Sequence, residues 1–202
     1  MKDDPLKHLQ RDKTLATALK NFTFEKRKRD ENIALYLCLS IISQQLSTRV
    51  ARVICDRFLN LFTGEEATCA RILQEEKNTL RSIGLSESKC TYIHNVCNFF
   101  QEQKLSDERL HAMSNEEVSS ILIQIKGVGN WTIQMLLMFA MAREDVFAPD
   151  DLGIQKAMTS LYKLNANSPK ELKKQMNAIS ERWKPFRTYA CLALWSWKDN
   201  AD

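Results

Sequence analysis

The sequence predicts an all-α protein, and three observations support this prediction. Its 202 residues include only 5 Gly and 4 Pro, a composition that suits long helices better than many tightly turned strands. Apolar residues recur at the spacing of one helix face through most of the chain. No convincing alternating run and no Asn-Gly hairpin indicates a strand. The chain is long enough for about ten helices around one core, or in two small lobes.

Four segments of the N-terminal part are predicted in order. Residues 5–20 are typical of one amphipathic helix, and the charged run FEKRKRDEN that follows favours a solvated linker or helix entry. ENIALYLCLSIISQQLS is apolar on most sides and predicts a buried helix. The next helix begins at TRVARVICDRFLNLF, with Ser47 or Thr48 as its N-cap.

The later helices are predicted mainly from their ends. Gly84 is placed to close a short helix as its C′ residue. Ser114 and Glu117 have the spacing of a capping box. Ser168, followed by proline, caps another helix, and Pro185 is expected to open the last one.

Composition restricts the classes of function. The net charge of +4 permits a polyanionic partner without requiring one. Six cysteines form no CxxC pair, so neither a zinc site nor an iron–sulfur cluster is expected. The polar N-terminus contains no apolar signal region, and no apolar run has membrane-spanning length. These features favour a reduced, cytoplasmic compartment and no membrane association.

The stretch from Leu122 to Asp151 is the most informative part of the chain. An apolar helix leads into the turn Gly127-Val128-Gly129, and a second apolar helix starts near Trp131 and is expected to end near Arg143. The second helix would present unpaired N–H groups to an anion. A lone GVG is more often a turn that binds nothing. Lys126 before the turn, with Trp131 and Thr132 after it, favours phosphate binding.

Two acids, Asp150 and Asp151, follow Pro149 at a helix start. Asp is a preferred N-cap, so one acid is expected to cap the helix and to leave the other for a different role. An ionised carboxylate suits the stabilisation of a positive, sugar-like transition state, or the orientation of a water molecule. Trp131, just past the turn, would offer a stacking platform to an enzyme that handles a base.

Four motifs in order resemble the helix–hairpin–helix (HhH-GPD) DNA glycosylase superfamily, and specifically its alkylbase branch, DNA-3-methyladenine glycosylase II. They are IISQQLSTRVA at 41–51, IGLSESKCTYI at 83–93, IKGVGNWT…DVFAPDDLGI, and RWKPFRTYACLALW at 182–195. The resemblance spans about residues 30–197. It implies a two-lobed helical fold with the active-site cleft between lobes. One lobe would be 29–134, with the hairpin at 115–139, and the other 1–28 plus 135–202.

The resemblance also implies site residues. The catalytic acid would be Asp151, which leaves Asp150 without an assigned role. The loop Ser43–Ser47 would fill the gap left by a flipped nucleotide, with Gln45 and Leu46 as alternative wedges. The implied base-pocket residues are Trp131, Trp195 and Tyr36. The implied DNA contacts are Lys126, Gly127, Val128, Gly129, Thr132, Gln44, Gln45, Leu46, Ser47, Ser88 and Lys89.

The same resemblance implies a monofunctional enzyme, because Trp131 stands where lyase-type relatives carry their catalytic lysine. It would flip and hydrolytically excise alkylated purines, of the 3-methyladenine or 7-methylguanine type, from double-stranded DNA. The reaction would leave an abasic site in the DNA, as a step of base excision repair. The chain would act as a monomer in the cytoplasm at the nucleoid, or in the nucleus of a eukaryote.

No cofactor is implied, although the family's hairpin carbonyls can hold a monovalent cation. Only Cys191 lies near the C-terminus, so no iron–sulfur cluster is expected, and the extra N-terminal β-rich domain of the longer bacterial relatives is not expected either. Three alternatives stay open. They are a glycosylase for oxidised or deaminated bases, a non-catalytic helix–hairpin–helix module that binds DNA structures or abasic sites, and a wholly structural helical protein.

Overall fold

The computed structural model describes residues 4–20, 22–25, 28–64 and 66–200. All regular structure in these ranges is helical, which confirms the all-α prediction. Two residues of the charged run FEKRKRDEN, 26 and 27, lie outside the described residues. The helices are α1 Pro5–Leu9, α2 Leu15–Leu19, α3 Ile33–Ser43, α4 Thr48–Leu59, α5 Cys69–Gln74, α6 Lys77–Ser82, α7 Glu87–Glu102, α8 Asp107–Ala112, α9 Asn115–Leu122, α10 Asn130–Met135, α11 Leu152–Tyr162, α12 Pro169–Ser180 and α13 Arg187–Asp199.

The chain divides into two compact units. The hairpin unit is Arg29–Leu136, and the acid unit is Met1–Lys28 together with Leu137–Asp202. Among the helices of the described ranges, none combines the length and the apolar character that crossing a lipid bilayer would require.

The core of the hairpin unit is built around α7, which packs on α3, α5 and α6. Helix α3 is buried on most of its sides, as its continuous apolar sequence predicts, with Leu37 and Ile41 fully buried. Helix α4 packs on α3 and buries one face only, through residues such as Ile54 and Phe58.

Several predicted helix ends are confirmed. Ser47 caps α4 by accepting from the amide of Val50, and Ser114 and Glu117 form the capping box of α9. Ser168 caps α12. Helix α8 was not predicted, since its six residues give too short an apolar pattern to recognise.

In the acid unit, α13 packs on α11 and α2. The prediction of a single helix over 5–20 is wrong, because α1 ends at Leu9 and α2 begins at Leu15.

Asp12 lies in the break between α1 and α2. Its Oδ1 accepts from the amide of Leu15 at 3.2 Å, and its Oδ2 accepts from the Tyr162 hydroxyl at 2.9 Å and from Trp183 Nε1 at 3.1 Å. The side chain therefore replaces helical hydrogen bonds and ties the N-terminal segment to α11 and to the turn that follows α12.

Two further boundaries differ from the prediction. The helix after the glycine turn does not reach Arg143: α10 continues as one π-helical turn, Leu136–Ala140, and Ala142 then adopts a φ of +52°. Helix α13 begins at Arg187 rather than at Pro185, with Phe186 in the N-cap position.

Candidate active site

The glycine turn joins α9 to α10 in the hairpin unit. Gly127 has a φ of +108°, and a Cβ added there would lie 2.4 Å from Cγ of Tyr92. Gly129 is different, because its φ is −108° and an added Cβ would meet nothing within 4 Å. The turn therefore requires glycine at Gly127 for two reasons. Gly129 is not required by the backbone or by the space around it.

The groups of this hairpin divide into those that face solvent and those that are used internally. Lys126 and Gly129 are exposed. Val128 is buried and its amide donates to the Ile125 carbonyl at 3.0 Å, so this amide is already paired within the turn, and the DNA contact implied for Val128 stays a prediction. At the start of α10, the amides of Asn130 and Thr132 have no acceptor within the described ranges, as expected for a first helical turn.

The loop after α3 is fastened to the hairpin. Lys89 Nζ donates to the carbonyls of Ile42 at 2.8 Å and Gln44 at 2.9 Å. The side-chain amide of Gln44 donates to the Gly127 carbonyl at 3.3 Å and to Thr132 Oγ1 at 3.4 Å. Burial lowers the pKa of Lys89. The polar groups of Lys89, Gln44 and Thr132 thus hold the loop against the hairpin, and the DNA contacts implied for these three residues stay predictions.

The two wedge alternatives differ in exposure. Gln45 is exposed at a left-handed φ of +58°, whereas Leu46 is half-buried. Ser47, which caps α4, and Ser88, in the first turn of α7, are also exposed. Gln45 is therefore exposed, whereas its large neighbours Gln44 and Leu46 are half-buried.

Two of the predicted base-pocket residues belong to the hairpin unit. Trp131 is 40% exposed at the second position of α10. Tyr36 is half-buried on α3, and its hydroxyl donates to the Met135 carbonyl at 3.4 Å, at the point where α10 becomes π-helical.

In the acid unit, Asp151 is the N-cap of α11. Its Oδ1 accepts from the Ile154 amide at 2.9 Å and from Trp195 Nε1 at 2.8 Å. Asp150 forms an ion pair with Lys173 of α12. As expected, one acid of the pair caps the helix and the other has a different role, the ion pair with Lys173. The capping acid is the catalytic candidate, and its neighbour is paired.

Trp195, the third predicted base-pocket residue, belongs to the acid unit and contacts both an aromatic ring and the catalytic candidate. Its ring stacks on Phe139, with centroids 5.9 Å apart and an interplanar angle of 29°, and its N–H points to Asp151. Gly153, which sequence reasoning missed, lies beside the hydrogen bond that joins Trp195 to Asp151. A Cβ there would come within 2.9 Å of Trp195 Nε1. The available signal was a glycine in the first turn of a helix, where it is a poor helix former.

The loop that leads to the two acids is fixed to the start of α13. Arg187 pairs with Asp145 through two contacts, Nε to Oδ1 at 2.6 Å and Nη2 to Oδ2 at 3.0 Å. Thr188 accepts from the Val146 amide at 3.0 Å and donates to the Arg143 carbonyl at 2.7 Å. Helix α13 therefore positions both the acid-bearing loop and Trp195.

In the described part of the chain, no group of three or more His, Cys, Asp and Glu side chains could hold a metal ion. The hairpin offers main-chain oxygens instead. Those of Lys126 and Gly127 already accept from the amide side chains of Asn95 at 3.2 Å and Gln44 at 3.3 Å.

Comparison with known proteins places the chain in a family. Residues 38–185 match the family described as HhH-GPD superfamily base excision DNA repair protein. DNA-3-methyladenine glycosylase 1 of Schizosaccharomyces pombe is 32% identical over 185 residues, which cover 90% of this chain and 78% of that protein. A Bacillus subtilis protein named for the same activity is 32% identical over 171 residues, but these are 80% of this chain and only 58% of that relative.

The fold has a matching solved structure, that of the Schizosaccharomyces pombe 3-methyladenine DNA glycosylase in complex with abasic DNA. The TM-score is 0.80 at 29% identity, with 95% of this chain and 94% of that chain covered. The matched residues 38–185 include the hairpin, the loop after α3 and the acid pair. The chain belongs to the HhH-GPD superfamily of base excision DNA repair proteins, on the branch of the DNA-3-methyladenine glycosylases.

Proposed function

We propose that this protein is a monofunctional DNA glycosylase that removes alkylated purines from double-stranded DNA by hydrolysis. The observation that carries the proposal is the Asp151 carboxylate, which caps α11 and receives the Trp195 N–H on the same oxygen. Two donors to Oδ1 fix the orientation of the carboxylate before substrate arrives, and such preorganised charge is an effective way to stabilise a developing opposite charge.

In the proposed reaction the C1′–N bond breaks and its electron pair leaves with the base. A purine alkylated at N3 or N7 carries positive charge, so it departs as a neutral molecule and needs little help from an acid. Positive charge develops on the sugar, where Asp151 would stabilise it and direct a water molecule to C1′. Addition of water, with loss of its proton, gives the free base and an abasic site.

Trp131 supports both the substrate class and the absence of a covalent intermediate. Its indole, in a residue that is 40% exposed, would attract a cationic base, contributing about 1–2 kcal/mol when water is excluded. An indole has no amine with which to form a Schiff base, so strand cleavage through an imine is not expected at this position.

The hairpin supplies the DNA grip in this proposal. Lys126 and the amides of Asn130 and Thr132 would hold backbone phosphates, which fixes register without reading sequence. Its main-chain oxygens would hold a monovalent cation, because a carbonyl that accepts one amide donor keeps a second lone pair. The relative in complex with abasic DNA supports this assignment of the partner. We also propose that the chain acts as a monomer. Its location would follow that of the DNA, in the cytoplasm or in a nucleus.

Of the two wedge candidates we propose Gln45, because it is exposed and has a left-handed backbone, whereas Leu46 is half-buried. Filling the gap in the base stack offsets part of the few kcal/mol that nucleotide flipping costs.

The test is a base-release assay with the purified protein on duplexes that each carry one alkylated, deaminated or oxidised base. Release of methylated purines, with an intact strand until alkali is added, is the expected result. Borohydride should trap no protein–DNA adduct. Release confined to oxidised or deaminated bases would move the protein to another substrate class. Binding without any release would make it a non-catalytic DNA-binding module.

A further inference from the structure

Gly153 occupies the second position of α11, between the cap Asp151 and Ile154, whose amide donates to that cap. A Cβ built on Gly153 would lie 2.9 Å from both Cδ1 and Nε1 of Trp195, and 3.0 Å from Asp151 Oδ1. Side-chain carbons do not approach other heavy atoms as closely as 2.9 Å, so alanine at this position forces the indole or the carboxylate to move.

The backbone itself does not require glycine at this position. Gly153 is helical, and its φ lies outside the left-handed region in which glycine is favoured. Glycine is a poor helix former. Glycine therefore serves here by leaving space, because the Trp195 indole needs that space to reach the Asp151 carboxylate.

The indole has little freedom to adapt. Trp195 is stacked on Phe139 and emerges from α13 beside the fully buried Leu194. A ring displaced by a methyl group at position 153 would lose the 2.8 Å hydrogen bond to Asp151, and its stacking on Phe139 would also change.

We propose that Gly153 is a positioning residue for the reaction: by leaving this space empty it allows Trp195 to donate to Asp151 Oδ1. Trp195 then acts as a hydrogen-bond donor that orients the carboxylate, in addition to any contact with a base. The inference rests on the proposed glycosylase function, and it concerns the chemical step rather than DNA binding.

The experiment compares Gly153→Ala, Trp195→Phe and the double variant with wild type in single-turnover release of a methylated purine. Trp195→Phe keeps an aromatic ring against Phe139 but removes the N–H. Each single variant is expected to lower the rate constant by about tenfold or more, the effect of losing a hydrogen bond to a charged group. Affinity for duplex DNA with an abasic site should change by less than about twofold.

The double variant decides whether the two residues act together. If Gly153 works through Trp195, adding Gly153→Ala to Trp195→Phe causes little further loss. Trp197→Phe, two residues along the same helix, is the matched control and should retain wild-type activity. Multiplicative losses in the double variant would overturn the proposal, and so would equal losses of DNA affinity and rate.

A second readout does not depend on activity. The indole N–H signal of Trp195 can be assigned in an NMR spectrum by its disappearance in Trp195→Phe. Gly153→Ala should shift this signal and speed its exchange with solvent, while the Trp197 signal stays in place. An unchanged Trp195 signal contradicts the inference. Wild-type protein that releases no base contradicts the proposed function, and the NMR result is still obtained.

Discussion

The ammonium group of Lys89 lies 2.9 Å from the main-chain oxygen of Gln44, while the side chain of Gln44 reaches the Gly127 carbonyl at 3.3 Å. A lysine on α7 therefore fixes a loop whose next residue projects into solvent, and the same loop contacts the glycine hairpin. The loop at Gln44 and the hairpin at Gly127, which are 83 residues apart in sequence, are therefore held together by hydrogen bonds.

Lys89→Met removes the donors and keeps the aliphatic stem. It leaves two part-buried carbonyls without their partner, so we expect a loss of about 1–3 kcal/mol in the free energy of unfolding, measured by chemical denaturation. DNA affinity should fall as the loop loosens. Lys77→Met is the matched control, since its ion pair with Glu87 is exposed and contributes little. Equal stability of the two variants would contradict the role given to Lys89.

Gly127→Ala and Gly129→Ala should differ sharply. Alanine at Gly127 is placed at a positive φ and against Tyr92, which should destabilise the protein by about 2 kcal/mol or more. Alanine at Gly129 meets open space at an ordinary φ, so the unfolding free energy should change by less than about 0.5 kcal/mol. Denaturant titrations of both variants check this difference, and similar midpoints would contradict it.

Gln45→Ala should leave stability nearly unchanged because the side chain is exposed. If Gln45 is the wedge, release from a paired duplex should slow by about tenfold, while release from a single strand, which needs no flipping from a stack, is preserved. Leu46→Ala is the comparison on the same loop. A larger, duplex-specific loss for Leu46→Ala would assign the wedge to that residue.

Asp12→Asn tests the pH dependence of stability. Burial by itself would raise the pKa of Asp12, but hydrogen bonds from Trp183, Leu15 and Tyr162, with the charge of Arg182, outweigh it and lower the pKa. A lowered folded-state pKa gives stability that is fully present above the unfolded value of about 3.9 and is lost as pH falls through the folded value. Wild type should therefore lose stability below about pH 4.

The variant should be less stable than wild type at pH 7, and the difference should shrink in acid. Melting temperatures from pH 2 to pH 7 would show this convergence. Curves that stay parallel across this range would contradict the account of Asp12.

Local signals explain what the sequence predicts correctly. Ser47, Ser114 and Ser168 cap their helices through contacts three residues away, so their roles are visible in a short window of sequence. The long apolar pattern of α3 likewise predicts its burial. The position of the two acids at a helix start was also predicted from local sequence.

Features that depend on distant residues could not be predicted in this way. Asp12 interrupts a helix because Tyr162 and Trp183 donate to it from more than a hundred residues away. Lys89 is basic and lies near a DNA-binding motif in the sequence, yet its ammonium group donates to main-chain carbonyls at the C-terminal end of another helix, α3. The space left by Gly153 has meaning only once α11 and α13 are packed together.

The most direct test of the central claim compares Asp151→Asn with Asp150→Asn in single-turnover release of a methylated purine from duplex DNA. Asparagine keeps an oxygen that can cap α11, so both variants should fold, while the charge that stabilises the sugar cation is lost only in the first. Asp151→Asn is expected to slow release by about a hundredfold or more, and Asp150→Asn far less. Release by Asp151→Asn within a few-fold of wild type, or an equal loss in Asp150→Asn, would contradict the assignment of Asp151 as the catalytic acid.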